Sequence, residues 1–299
     1  MEEYIQRLGI NINFPFALIM AALIWSRVLS ALVVIPFLFA KPVSRLVRVG
    51  FSIILTIYLY PLLVTKEISP VELGYMKLMA LFMKEILFGL SIGFAASMMF
   101  YGFEAAGQMI DNQRGVSIAR ILIPELGEQS SISGQFLFQL FVVCFLALGG
   151  QRFFFKAFTE SYVALPLLSF PQSLEGIWPL LDLFMKMTGK ILFISVQIAA
   201  PVVIAILVVD IILGVANRFA PQINVWELGF NVRGFVGILI LFLSLSFISR
   251  QIRFYTEENN KNIWNVVEYL KPKPPPLSPP LEEIRPEELE QIHPVVPLR

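Results

Sequence analysis

Long apolar runs, broken at intervals by short polar passages, organise this chain. Six runs are candidate membrane helices, at about 14–39, 49–64, 87–103, 132–149, 191–215 and 234–249. A helix needs roughly 20 residues to cross about 30 Å of hydrocarbon. Two runs fall short: 49–65 offers seventeen residues without charge and 234–249 sixteen. Short hydrophobic helices tilt, thin the bilayer or join an oligomer, so protein is expected to shield some of them. A seventh patch, AFTESYVALPLLSF, is broken by Glu160 and Pro166. It suits an interfacial or re-entrant segment, or one buried in protein. No alternating run is long enough for the strands of a membrane barrel. The pattern predicts an all-α, polytopic membrane protein with short and broken hydrophobic helices.

Composition strengthens that reading. Hydrophobic residues make up 57% of the chain and charged ones 15%, against about 45–50% and 25% in an ordinary globular domain. Mean hydropathy is +0.73. The net charge is +1, with no basic stripe interleaved with aromatics, which argues against nucleic acid as a partner. The lone Cys144 has no partner for an intrachain disulfide and no companions for a metal site. Glu2, Glu3 and Arg7 precede the first run and no small-residue cleavage site follows it, so that run is expected to be retained as a helix.

The charges between runs give a discordant map. Lys41, Arg45 and Arg48 favour a cytoplasmic first connection, which puts the N-terminus outside. Six crossings would return the C-terminus outside, yet Arg250, Arg253 and Lys261 argue for the cytoplasm. An odd number of crossings resolves this, and so do helices that never cross. The chain divides into a helical membrane region, 1–270, and a proline-rich tail, 271–299, expected to be flexible because proline favours extended chain. His293, the single histidine, lies in that tail before Pro294 and has no catalytic surroundings.

Enzymatic motifs are absent. There is no HExxH, GxSxG, Walker sequence or CxxC, so no catalytic residue, cofactor or metal site is expected. Energy for any transport has to come from a proton gradient or a separate ATPase. The chemistry lies in ionisable groups within apolar surroundings, which need partners or water: Arg27, Lys84, Glu85, Asp111, Arg114, Arg120, Asp210, Arg218, Glu227 and Arg233. Structural ion pairs between helices are the favoured reading for each. Asp210 is the sharpest case, because a proton-coupled secondary transporter uses such a carboxylate. Its helix is otherwise bare of paired acids, which favours an interhelical or intersubunit contact. Gly89 and Gly93 form a small-xxx-small face for close helix packing, within the chain or against another subunit.

Two polar passages are too apolar for free loops. In EAAGQMIDNQRGVSIAR, Asp111 and Asn112 are placed to cap a following helix, and Gly107 and Gly115 permit turns. Arg114 can fork onto a carboxylate or carbonyls. The passage is expected to be a polar turn with buried sides, dipping toward a channel or a neighbour. In RFAPQINVWELGFNVRG, Pro221 stops a helix and Asn224 caps the next. Val225, Trp226 and Phe230 supply an apolar face, for an elbow against protein or an interfacial anchor.

These passages, with GEQSSISGQFLFQLFVVCFLALGG and SYVALPLLSF, resemble the SctT/FliR family of type III secretion export-apparatus subunits. The resemblance covers roughly 14–258 and is nearer the virulence (injectisome) branch than the flagellar one. It implies a subunit of the export gate in the bacterial inner membrane, multi-pass and within the secretion-system base. It implies assembly with two smaller membrane subunits, in a 5:4:1 stoichiometry with this chain as the single copy, and contact with larger export and switch subunits and with unfolded secreted proteins in transit. The fold it implies is like a fusion of the two smaller subunit folds. Gly107, Asp111, Gln113, Gly115 and Ala119 fall on the family motif near a channel plug, with Arg114 among them. Pro221, Gln222, Asn224, Val225 and Gly229 fall on a motif expected to support assembly, beside Trp226 and Asp210. The chain departs from the family pattern at Ile123, Trp226, Asn231 and the tail.

Overall fold

The computed structural model describes residues 14–38, 43–64, 74–116, 131–170, 177–222 and 224–269. Among them the chain is helical with no strand: α1 (Phe14–Val34), α2 (Arg45–Val64), α3 (Tyr75–Gln113), α4 (Ile132–Ala147), α5 (Gly150–Ala164), α6 (Ile177–Phe219), α7 (Val225–Leu243) and α8 (Leu245–Tyr269). Five of them are long and apolar enough to cross a membrane, and the bent pair α4–α5 makes a sixth if counted as one span. This is the polytopic helical class expected, since a helix satisfies its own backbone where water is absent. The proline-rich tail lies outside the described residues.

Three elements differ from their hydropathy. The third run, expected to stop near 103, belongs to a helix of 39 residues, about 58 Å at ~1.5 Å per residue. It continues because Glu104, Gly107 and Asp111 are buried against neighbouring helices. The EAAGQMIDNQ passage is therefore the last turns of a helix, and the chain turns only at Arg114–Gly115. The fifth run lies within a helix of 43 residues. The sixth run, 234–249, straddles the end of α7 and the start of α8; the apolar pattern does not show the rest of α8, which has low mean hydropathy but buries Ile248, Ile252, Tyr255, Asn259, Ile263 and Val266 along one stripe. Its charged residues fall mostly on the other face, as helical periodicity requires.

The core surrounds α3, which packs against α1, α4, α6 and α8. Its rings interlock with those of α4: Phe100 meets Phe141 edge-on at 4.7 Å between centroids, and Phe103 stacks on Phe141 at 4.5 Å. Such pairs contribute about 0.5–1.5 kcal/mol beyond their burial. Gly89 and Gly93 bring α3 onto α1. A Cβ on Gly89 would overlap Ser30, and one on Gly93 would lie 2.7 Å from the Ala31 carbonyl oxygen. Helices α4 and α5 meet at a 74° bend, where Gly149 takes φ 78°, a conformation that favours glycine.

Helix α2 is built inside out. It buries Ser52, Thr56 and Leu59 and exposes Ile53, Ile54, Ile57, Tyr58 and Leu62. Its close packing is with α1, where Trp25 Nε1 donates to Ser52 Oγ at 2.8 Å. A helix with its apolar face outward is stable only when lipid or protein covers that face.

Candidate functional site

The polar passage after the third run assembles a clasp. Asp111, 1% exposed, lies in the last turn of α3 and accepts four hydrogen bonds. Ser131 Oγ and Ser133 Oγ donate at 2.6 Å each, the Ser133 backbone N–H at 3.0 Å and Arg114 Nη1 at 3.1 Å. Ser131 caps α4 through Gly134 N, at 2.9 Å. The Asp111 carboxylate thus sits at the N-terminus of α4, where unpaired N–H groups and the helix dipole favour negative charge. It caps that helix across space from another, not as the residue preceding it.

Glycines close the same junction. Gly107 is a close approach within α3, not a turn. Any Cβ there would overlap the backbone of Ser133 and Gly134. Gly115 does turn the chain, with φ 83°, and a Cβ there would lie 3.1 Å from the Phe230 ring. Arg114 lies across α7, where a Cβ on Gly237 would be 2.6 Å from its Cγ. The clasp therefore joins α3, α4 and α7. Asn112 and Gln113 point outward from it. Ala119 lies outside the described residues.

A second polar centre sits one turn away along α7. Arg233, four residues before Gly237, donates Nε to Asp210 Oδ1 on α6 at 2.5 Å. Both side chains are about a third exposed (34% and 37%), amid exposed Leu207, Ile211, Phe235 and Ile238. Beyond it, Pro221 and Gln222 are exposed at the α6–α7 turn. Asn224 caps α7 by accepting from Glu227 N, and its amide donates back to the Glu227 carboxylate, the reciprocal logic of a capping box. Gly229 faces Leu213, and Trp226 is 68% exposed.

The third centre joins α1, α3 and α5. Arg27 forks onto Glu85, Nε to Oε2 at 2.5 Å and Nη2 to Oε1 at 3.0 Å, and also donates to the carbonyls of Ser161 and Leu165. Lys84 donates to the carbonyls of Pro166, Leu167 and Ser169, each at 2.9 Å. The two cations exceed the one carboxylate. The excess charge lies where the carbonyls end α5, the negative pole of that helix. Arg27 also stands 4.2 Å over the Tyr162 ring, a cation–π contact.

Sequence reasoning names the charges of all three centres but pairs none of them. It misses Gly134 and Gly237, which carry no charge and are visible only as close approaches. Among the described residues no group of His, Cys, Asp and Glu comes together to hold a metal ion.

The fold and its centres define a class: a helical membrane protein whose polar groups tie helices together between apolar outer faces. Residues 18–258 match the family of bacterial export proteins, family 1, and the chain belongs to it. It is 33% identical over 220 residues to Yop proteins translocation protein T of Yersinia pestis, covering 73% of this chain and 83% of that protein. It is 29% identical over 234 residues to flagellar biosynthetic protein FliR of Aquifex aeolicus (78% and 87% covered). With surface presentation of antigens protein SpaR of Shigella flexneri it shares 32% identity over 180 residues (60% and 68%). The type III secretion family that the motifs resemble is the one found, with relatives from its virulence and flagellar branches.

Proposed function

We propose that the chain is a non-enzymatic subunit of a type III secretion export gate in the bacterial inner membrane, and that the Asp111–Gly115 segment lines or plugs its channel for unfolded protein. The clasp is the observation that carries this reading. A buried carboxylate anchors the end of α3 while Asn112 and Gln113 remain exposed beside it. Such an anchor holds the start of the following segment in one place, as a plug at a constriction requires. The exposed apolar faces of α2, α6 and α7 supply surfaces for two smaller membrane subunits, in the 5:4:1 arrangement implied by the family. Larger export and switch subunits complete the set of partners. Arg233 engages Asp210, which favours a structural contact over proton-coupled transport by that carboxylate.

The test is a cysteine at Gln113 in a Cys144→Ser background, with secretion stalled by a substrate bearing a folded plug domain. A disulfide or bismaleimide crosslink to the stalled substrate is expected. An intact complex that secretes normally but gives no crosslink rejects the channel role. Purification of the chain in native detergent without any membrane partner rejects the gate itself.

A further inference from the structure

Helix α8 lies along the apolar part of α3. Tyr255 meets the Phe103 ring edge-on at 6.0 Å between centroids, and Asn259 Nδ2 donates to the Ala96 carbonyl at 3.2 Å. As α8 advances from 255 to 259, its contacts on α3 fall back from 103 to 96, so the two helices run antiparallel. Ile252 and Ile263 are buried on either side of this stretch, and a polar node sits between them. Thr256 is 4% exposed and Asn259 0%. Asn260 is half-buried at the edge of the seam. Thr256 Oγ1, Asn259 Oδ1 and Asn260 Oδ1 are all shut off from solvent, and none has a hydrogen-bond partner in the protein. Buried oxygens of this kind are costly without a donor.

The Thr256 hydroxyl is also turned unusually. Threonine inside a helix commonly bonds back to the carbonyl one turn earlier. Thr56, Thr159 and Thr188 do so, donating to the carbonyls of Ser52, Phe155 and Phe184. Thr256 does not. Its spacing from Asn259 and Asn260, three and four residues, sets the three side chains on adjoining turns of one face, with Cβ atoms about 5–6 Å apart. The facing part of α3 supplies no donor. Its backbone N–H groups are spent within the helix, and Ser97, next to Ala96, donates its hydroxyl to the Phe94 carbonyl.

We propose that one internal water occupies this node, donating to Asn259 Oδ1 and Asn260 Oδ1 and accepting from the Thr256 hydroxyl. Water offers two protons and lone pairs, the complement of two amide oxygens and one hydroxyl. Three hydrogen bonds is the usual number for a buried water. A divalent cation fits the node poorly, since it takes about six or more oxygen ligands and favours carboxylates, whereas these three oxygens are neutral. The water steadies the Asn259 side chain, whose amide reaches the Ala96 carbonyl. Asn259 is thereby a positioning residue for the register of α8 on α3. This hydration site stands on the packing of α8 and not on the channel role of the Asp111 segment.

The test uses the full chain with the membrane subunits that co-purify, in an electron cryomicroscopy map sharp enough to show internal waters. A peak is expected at hydrogen-bond distance, about 2.7–3.2 Å, from Thr256 Oγ1, Asn259 Oδ1 and Asn260 Oδ1. Thr256→Val keeps the shape of the side chain and removes the hydroxyl. It should abolish the peak and lower the melting midpoint by about 2–4 °C, whereas Thr256→Ser should keep the peak. A map that shows other internal waters but no peak here overturns the proposal. So does a peak that survives Thr256→Val, or a midpoint that this variant leaves unchanged or raises, the result for a hydroxyl with no partner to lose. A peak at the roughly 2.3–2.6 Å of a metal–oxygen contact, or one that comes and goes with sodium or potassium, assigns the node to a cation and also overturns it. If Thr256→Val does not fold, the wild-type and Thr256→Ser maps decide.

Discussion

The Arg27–Glu85–Lys84 centre and the Asp210–Arg233 pair are both charges inside apolar helices, and they are treated in opposite ways. The first is closed. Glu85 is 0% exposed and Arg27 0%, and the donors of Arg27 and Lys84 are spent on one carboxylate and five carbonyls within the chain. The second is open, a single bond with both partners about a third exposed (34% and 37%). Closed polar groups specify how a chain's own helices meet. An open pair on an apolar face leaves its remaining valence to whatever covers that face.

The comparison is broken most forcefully at Glu85. Glu85→Ala leaves two buried cations without their carboxylate, a loss of about 3–5 kcal/mol by analogy with other severed buried pairs. Little folded chain should accumulate in membranes, and thermal unfolding in detergent should shift down. Unchanged accumulation and melting would mean that the centre contributes nothing to the fold.

Asp111→Ala ranks next. It removes a carboxylate shared by Ser131, Ser133 and Arg114, where hydrogen bonds to a charged group contribute about 1.5–3 kcal/mol each and are not additive. We expect a smaller loss of stability than at Glu85 and a loss of secretion out of proportion to it. Secretion that falls only in step with protein level would reduce the clasp to a packing element. Gly93→Val probes the closed region by steric means. Its side chain meets the Ala31 backbone, and overpacking of this kind costs about 1–3 kcal/mol. A wild-type melting curve for this variant would show that α1 can withdraw from α3.

Asp210→Asn sharpens the other side. A partly exposed ion pair contributes about 0–1 kcal/mol, so chain stability should barely move. Recovery of the membrane partners should fall several-fold. Normal recovery would make the pair an internal bond like the first. Trp226→Phe, on an exposed side chain that touches no core, should alter folding by no more than about 0.5 kcal/mol, as read from the melting midpoint.

Legibility followed chemistry that is local along the chain. The apolar runs give away α1, α2 and α4 and only the second half of α7, since the sixth run crosses the break at Ser244, and Asn224 is readable as a cap because its partner Glu227 is three residues on. The ends of α3 and α6 are not readable from hydropathy, because their polar residues are buried by other helices. Nor is α8 readable as an apolar run, since its stripe of buried residues is diluted by charge on the opposite face. Asp111 is recognisable as a capping residue. Its helix, twenty residues ahead, is not.

What the sequence determined alone is the class of molecule: mostly apolar segments of spanning length, without catalytic motifs, carrying the polar passages of an export family. Hydrophobicity and motif spacing are properties of the chain itself, so they survive without coordinates. Only the tertiary structure decided which charges are satisfied within the chain and where backbones touch at Gly107 and Gly237. Those depend on distances between segments far apart in sequence, and no local pattern of residues encodes such distances.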